Sequence, residues 1–435
     1  MTSIEQLYTV FQEYPKVSTD TRNIVPGSIF FALKGGNFNG NAFAKEALEK
    51  GAAYAVIDEA AFASGERTLL VPDVLEALQQ LARYHRQYLG KSGLKVFGLT
   101  GSNGKTTTKE LLARVLQQKF RTLFTKGNLN NHIGVPLTLL QLHTDHEMAV
   151  IEMGANHQGE IALLSSIALP DFGLITNAGL AHLEGFGGPE GVLKGKTELF
   201  RNLEAAGGTA FVLADDPRLL ERSSQLKRVT YGTSGNAEVN GSLVSADPLV
   251  VFEWETKATG KRRVQTQLAG AYNLPNLVAA CAVGNYFGIA PEKIDEAIAS
   301  YAPDNNRSQV EQRGTNTLIL DCYNANPSSM AAAITNLADM AAKEKVLVLG
   351  DMFELGDAAA EEHQKVVDLI GEKLPGAKAV LVGKLFGATK DDFGGVRLND
   401  AAAAAEWLKQ QQFENTLLLI KGSRGMKMEQ CGAVV

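Results

Sequence analysis

The segment KVFGLTGSNGKTT, residues 95–107, constrains this chain more than any other. An apolar run with the character of a strand empties into the loop Gly101-Ser102-Asn103-Gly104, and a helical pattern begins at once with Lys105-Thr106-Thr107. Glycines let the backbone curl until its N–H groups converge on phosphate oxygens, the helix N-terminus favours the anion, and the lysine ammonium reaches the outer phosphates. The Thr106 hydroxyl suits Mg²⁺. The general phosphate-loop pattern would place glycine where this chain has Leu99, so the match is to a tighter variant that starts at Gly101. A glycine-rich turn with a surface lysine is the plain alternative, and it leaves unexplained why strand, loop, Lys-Thr and helix are in register. The motif alone fits a regulatory nucleotide switch as well as an enzyme.

The 435 residues exceed what one core usually serves, and the pattern divides them into three α/β domains. In the first, 1–92, SIFFAL, a Gly/Asn-rich turn, FAKEALEKGA and AYAVI read as strand, loop, helix and strand, before a helix over 74–89. The second, 93–305, alternates strands (KVFGLT, EMAVIEMG, DFGLITNAG) with helices, which predicts a doubly wound, mostly parallel sheet. An antiparallel excursion is expected from Val229–Tyr231 and Leu249–Trp254 around a turn at 233–236. The third, 306–435, opens on NTLILD and alternates again, as a Rossmann-like domain would.

Net charge is −6, so nonspecific nucleic-acid binding is not expected, and an acidic ligand must be met locally. The first residues lack the apolar core of a secretion signal, and no stretch approaches ~18 uninterrupted apolar residues, which predicts a cytoplasmic protein without membrane insertion. Cys281, Cys322 and Cys431 are too scattered for a zinc cluster or a disulfide framework.

Ligands of open α/β sheets gather at strand carboxyl ends. Glu152 ends one strand and His182 follows another, so both face the loop that carries Lys105. A carboxylate and an imidazole can ligate a divalent cation, although a strand-end glutamate is usually solvated, a lone histidine is usually structural, and Mg²⁺ prefers oxygen. Asn273 and Asn276 stand at a helix start, where amides cap the helix or hydrogen-bond a purine.

The run Thr100–Thr107 resembles the phosphate loop of the Mur ligases, T-G-[ST]-N-G-K-T-T, and matching segments extend over nearly the whole chain. The resemblance implies an ATP-dependent ligase that joins a carboxylate to an amine. Gly101, Ser102, Asn103, Gly104, Lys105, Thr106 and Thr107 would hold ATP, with Asn273 at adenine and Arg307 and Asp321 reaching phosphate or ribose from the third domain. EMGANHQGEI and ITNAGLAHLEGFG would supply Glu152 and His182 as ligands of two Mg²⁺ ions. Lys196, in GKTELF, matches the position at which most of the family carries a carbamylated lysine, and Lys194 is the competing candidate. A carbamate would hold a metal that an ammonium repels. Lys105, Glu152, His182 and Lys196 are the expected catalytic group.

STDTR, PGSIFFALKG and NFNGN resemble the family's UDP-sugar domain. Arg22 and Lys34 would neutralise a diphosphate while Thr19, Asp20 and Gly35 fix the uridine, and Asn130 and Asn131 would meet a muramoyl-peptide or merely order their loop. YNANPSSM, LGDMFELG and KGSRGMKME look like the family member that adds D-alanyl-D-alanine to a UDP-muramoyl-tripeptide, which would place Tyr323, Asn324, Asn326, Ser423 and Arg424 at the dipeptide. The resemblance also suggests a monomer. A folylpolyglutamate-synthetase-type ligase shares the loop and the amide chemistry but lacks the UDP-sugar domain. A nonenzymatic ATP switch would need only the loop and closure of the third domain.

Overall fold

The computed structural model describes residues 1–435, which form three α/β units with mostly parallel sheets, as expected. The first sheet has four parallel strands in the order Val17–Ser18, Ile29–Phe31, Tyr54–Ile57, Thr68–Leu70. A two-stranded hairpin, Lys34–Gly35 with Phe38–Asn39, projects from it.

The middle sheet has nine strands, with Lys95–Thr100 flanked by Met148–Glu152 and Phe172–Ile175 in parallel register. Strands covered on both faces read as continuous apolar runs. Successive side chains then divide between the faces. Val96, Ala149 and Ile151 enter one core, while Phe97, Leu99, Met148 and Val150 enter the other. Helices Lys105–Leu116 and Leu274–Tyr286 supply the second core, and Glu160–Ala168 and Glu198–Ala206 the first.

The antiparallel excursion begins later than the sequence suggests. Val229–Tyr231 belongs to Lys227–Gly232, which pairs parallel with Thr209–Leu213. The reason is the crossover helix Pro217–Arg222, started by Asp216, whose carboxylate accepts from the Arg218 N–H at 3.0 Å. Val239–Ala246 is still parallel to Lys227–Gly232, and antiparallel pairing begins on its other edge, with Leu249–Thr256 and then Gly260–Ala269.

The third sheet orders Gln309–Arg313, Asn316–Asp321, Thr416–Lys421, Glu344–Gly350, Lys378–Val382 and Val396–Leu398, all parallel except the first. No helix is long and apolar enough to cross a membrane. The three cysteines are free and buried.

The first and middle units are welded together. One core runs from Leu7 and Phe11 through helix Val74–Gly90 to Ile151 and Ile161. Inside it, His85 meets the Tyr8 hydroxyl at 3.1 Å and the Leu142 carbonyl at 2.9 Å. Buried Arg86 pairs with Asp171 at 2.7 Å and donates to the carbonyls of Ala168 and Leu169. The joint with the third unit is polar by contrast. Asn326 donates to the Asn103 side-chain oxygen at 2.7 Å, the Leu180 N–H to Ser328 at 3.2 Å, and the Ala271 N–H to Asn336 at 2.9 Å.

Two outcomes follow for stability. Arg86→Met removes the buried partner of Asp171 together with the donors to the Ala168 and Leu169 carbonyls, and should cost about 3 kcal/mol in urea denaturation, while Lys95→Met, which removes the exposed partner of the same carboxylate, should cost under about 1 kcal/mol. Fully buried His363 accepts from the Met352 N–H at 2.9 Å and contacts the Ala359 carbonyl at 2.6 Å, so both ring nitrogens serve the neutral form. Burial holds its pKa below the ordinary value, against the opposing pull of the Ala359 carbonyl and Asp351. The unfolded chain therefore takes up a proton that the folded chain refuses as pH falls through about 6.5. The urea midpoint should drop between neutral pH and about pH 5.5, and His363→Gln should flatten that part of the profile.

Candidate active site

The carboxyl ends of the middle strands and the facing edge of the third unit enclose a cavity of about 760 Å³. Its walls include Ser102, Asn103, Gly104, Lys105, Thr107, Asn130, Asn131, Glu152, His182, Asn273, Arg307, Asp321, Tyr323, Asn324 and Asn326. Thr19, Asp20, Arg22, Lys34, Gly35, Gly101, Thr106, Lys196, Ser423 and Arg424 lie outside that lining.

The loop Gly101–Gly104 is held from the neighbouring strand. Asn177 accepts from the Ser102 N–H through its carbonyl and from the Asn103 N–H through its side-chain oxygen, both at 3.0 Å. Thr176 and the Asn177 amide donate to the Asn103 carbonyl at 2.6 and 3.0 Å. Gly101 and Gly104 sit at φ 148° and 78°, and a Cβ on Gly101 would run into Thr176. Glycine is required there by space as well as conformation. Lys105 donates to the carbonyls of Gly101 and Ser102 at 2.7 and 3.0 Å. Desolvation lowers its pKa to about 8, Glu152 pulls the other way, and Arg307 adds to the lowering.

Glu152 is 1% exposed. One carboxylate oxygen accepts from Asn130 at 2.9 Å and Thr106 at 3.4 Å, while the other has no hydrogen-bond partner and lies 3.7 Å from the Lys109 ammonium. An orphaned carboxylate oxygen beside a hydroxyl fits a hard divalent cation. Nowhere does the chain gather three or more His, Cys, Asp or Glu side chains that could hold a metal ion. Mg²⁺ held by one carboxylate, with phosphates and waters completing its shell, needs no more than this.

His182 heads the short helix Leu183–Phe186 in a left-handed conformation, φ 52°, and its Nδ1 lies 2.6 Å from Glu354 of the third unit. The hydrogen bond to His182 holds the Glu354 carboxyl below its usual range. Lys196 is buried and Lys194 is exposed. Lys196 Nζ donates to the Ala155 carbonyl at 3.1 Å and sits 4.8 Å from the centre of the Phe186 ring. Burial, and then the Lys105 charge, push its pKa well below the lysine range.

Asn273 stands at the N-cap position of helix Leu274–Tyr286, but its side chain makes no capping hydrogen bond. Its amide donates to the Ala269 carbonyl and to Ser308 at 2.8 and 3.1 Å, and its oxygen accepts from Asn276 at 3.0 Å. The residue expected at adenine thus braces the joint between the units. Arg307 lies between Asn306 and Ser308, both left-handed at φ 56° and 50°. It stacks 3.6 Å from the Tyr323 ring centre, and its buried Nε has no partner. Asp321 is held by buried Lys421 at 2.5 Å.

Other expected residues have partners of their own. Asn131 accepts from the N–H groups of Ile133 and Gly134 and Asn130 donates to Glu152, contacts that order their loop while both residues line the cavity. In the first unit Arg22 forks onto Asp20, while Lys34 meets Asp58 and Glu59 at 2.8 and 2.9 Å. Ser423 accepts from the Phe353 N–H at 2.9 Å, and Arg424 lies 3.5 Å from Glu429. Sequence reasoning gave no role to Asn177, Lys109, Lys421 or Glu354. Three of these stand in segments quoted for resemblance, and their signal was a polar side chain at a strand end or in the loop after it.

Family models match in the order of the three sheets: the Mur ligase family catalytic domain over residues 13–86, the Mur ligase middle domain over 99–284, and the Mur ligase glutamate ligase domain over 306–424. The UDP-N-acetylmuramoyl-tripeptide–D-alanyl-D-alanine ligase of Bacillus subtilis is 37% identical over 430 residues, 95% of this chain and 91% of that protein. Among solved structures, MurF from Acinetobacter baumannii superposes with a TM-score of 0.87 at 32% identity, covering 99% of this chain and 98% of that one. MurF from Thermotoga maritima in complex with ADP gives 0.87 at 26% identity, covering 100% and 98%. The glycine-rich loop, the buried carboxylate and the third unit that faces them therefore sit on a framework shared from end to end, and the chain belongs to the Mur ligase family.

Proposed function

We propose that this protein is an ATP-dependent amide ligase that joins D-alanyl-D-alanine to the terminal carboxylate of UDP-N-acetylmuramoyl-tripeptide. The observation that carries the reading is the single cavity in which Lys105, Glu152 and His182 of the middle unit face Arg307, Asp321 and Tyr323 of the third. It is supported by relatives and solved neighbours of that name over nearly the whole chain. The reading places the protein in the cytoplasm as a monomer, with residues 1–92 serving the UDP-sugar end, 93–305 ATP, and 306–435 the dipeptide.

In this reading the pinned loop and Lys105 grip the triphosphate, with Arg307, stacked on Tyr323 and with its Nε unpartnered, lining the same cavity from the third unit. Thr106 and Glu152 would hold one Mg²⁺, and His182 with a carbamylated Lys196 would hold a second. These ions supply the positive charge that lets a carboxylate approach a polyanion. A carboxylate oxygen of the tripeptide attacks the γ-phosphorus and ADP departs. The amine of D-alanyl-D-alanine then attacks the acyl carbon, phosphate leaves, and the amine proton passes to solvent. Docking of the third unit keeps water from the acyl phosphate and aligns the amine. A neutral lysine is what carbamylation requires, and the burial that lowers the Lys196 pKa favours that form.

Purified protein with ATP and Mg²⁺ should release phosphate only when both the tripeptide acceptor and D-alanyl-D-alanine are present, with pentapeptide detected by mass spectrometry. Lys105→Ala should lower that rate by at least ~10³-fold, since it removes charge from the transferring phosphoryl group. Substrate-dependent turnover retained in that variant would sink the assignment. In ¹³C-bicarbonate the native chain should give a carbamate carbon resonance that Lys196→Ala lacks. An identical spectrum from the two would remove the carbamate from the scheme.

A further inference from the structure

The loop that follows the third-unit strand Glu344–Gly350 is braced at each step. The Met352 N–H is taken by His363, the Phe353 N–H by Ser423, and Asp351 accepts from the N–H groups of Leu385 and Phe386. This bracing presents Glu354 in a left-handed conformation, φ 66°, opposite His182, itself left-handed at φ 52°. Two residues with side chains rarely adopt that region, and here both do so where they meet. Gly356, φ 54°, closes the same turn so tightly on the middle unit that an added Cβ would stand 3.2 Å from a Glu184 carboxylate oxygen. The His182–Glu354 contact, at 2.6 Å, is the one ion-pair-type contact that joins the middle unit to the third.

We propose that Glu354 is a positioning residue: it arrives with the third unit, accepts a hydrogen bond from Nδ1–H of His182, and so leaves Nε2 as the nitrogen with a lone pair. A carboxylate on one imidazole nitrogen fixes both the tautomer and the ring orientation and makes the other nitrogen the better ligand. Docking of the third unit and preparation of His182 thereby become one event. A chain whose third unit has swung away carries an unoriented imidazole, so acyl phosphate formation waits for closure. The role of His182 in this inference rests on the ligase reading above.

The test uses the full-length, magnesium-free chain with a non-hydrolysable ATP analogue. Nitrogen-15 shifts of His182, assigned with His182→Gln, should report Nδ1–H in the native chain and in Glu354→Gln, whose amide oxygen still accepts. Glu354→Ala should shift the ring toward Nε2–H, the commoner form of free histidine. In turnover with Mg²⁺, Glu354→Ala should lose ~10–100-fold in kcat with the KM for ATP held within roughly twofold, and Glu354→Gln should recover most of the loss. A Glu354→Ala chain with the native tautomer overturns the proposal, whether its kcat falls or not, since a fall without a tautomer change means docking alone. Glu354 is half-exposed and the substitution leaves the core intact, so misfolding does not confuse the result. Absence of native turnover would count against the ligase reading only, and the nitrogen shifts would still decide the role of Glu354.

Discussion

Glu152 is buried at the end of a central strand, and only one of its two oxygens is hydrogen-bonded. Such a group is costly unless something positive meets it. Lys109 lies 3.7 Å away and Lys105 is close enough to feel its charge, yet neither ammonium donates to the free oxygen. The unmet demand is what suits the place to a cation carried in with a polyanion. Asn130 orients the carboxylate, Asn177 pins the loop opposite, and the sheet register sets Leu99 beside Glu152 and so fixes the spacing.

The rest of the molecule divides by how firmly it is joined to that point. A shared apolar core and a buried Arg86–Asp171 pair lock the first unit to the middle one. The third unit meets the middle through side-chain amides, a serine and the His182–Glu354 contact, groups that water satisfies about as well when the joint opens. Strain gathers at the same joint, in Asn306, Ser308, His182 and Glu354. The first two units thus share an apolar core, while the third is joined to them largely through polar contacts, a joint that would let it open and close around a water-sensitive intermediate on the ligase reading.

Much of this was legible in the chain. The phosphate loop announced itself because glycine, lysine and threonine are placed by chemistry that tolerates few substitutes, and the parallel sheets because strands buried on both faces are apolar throughout. The late turn to antiparallel pairing was not legible, since Val229–Tyr231 has the same pattern in either direction and only the helix Pro217–Arg222 decides. The short strand Gln309–Arg313 has no clear pattern for a related reason: it is an edge strand in which Val310 is the one apolar residue, and it pairs across Gly314. Partnerships between distant segments were harder still. Lys421 faces Asp321 because two parallel strands are adjacent, and Glu354 faces His182 because two units dock, and neither fact has a local signature. Asn273 shows what residue type alone does not reveal: besides lining the cavity, its amide reaches the Ala269 carbonyl, Asn276 and Ser308.

On the ligase reading the cavity activates a carboxylate by transferring phosphoryl to it. Labelling the terminal carboxylate oxygens of the tripeptide acceptor with ¹⁸O and following the label through one round of synthesis tests this directly. Attack of the carboxylate on the γ-phosphorus should deliver one labelled oxygen into the released inorganic phosphate, because the oxygen that bridged carbon and phosphorus leaves with phosphorus. Pentapeptide formed together with unlabelled phosphate would contradict the account.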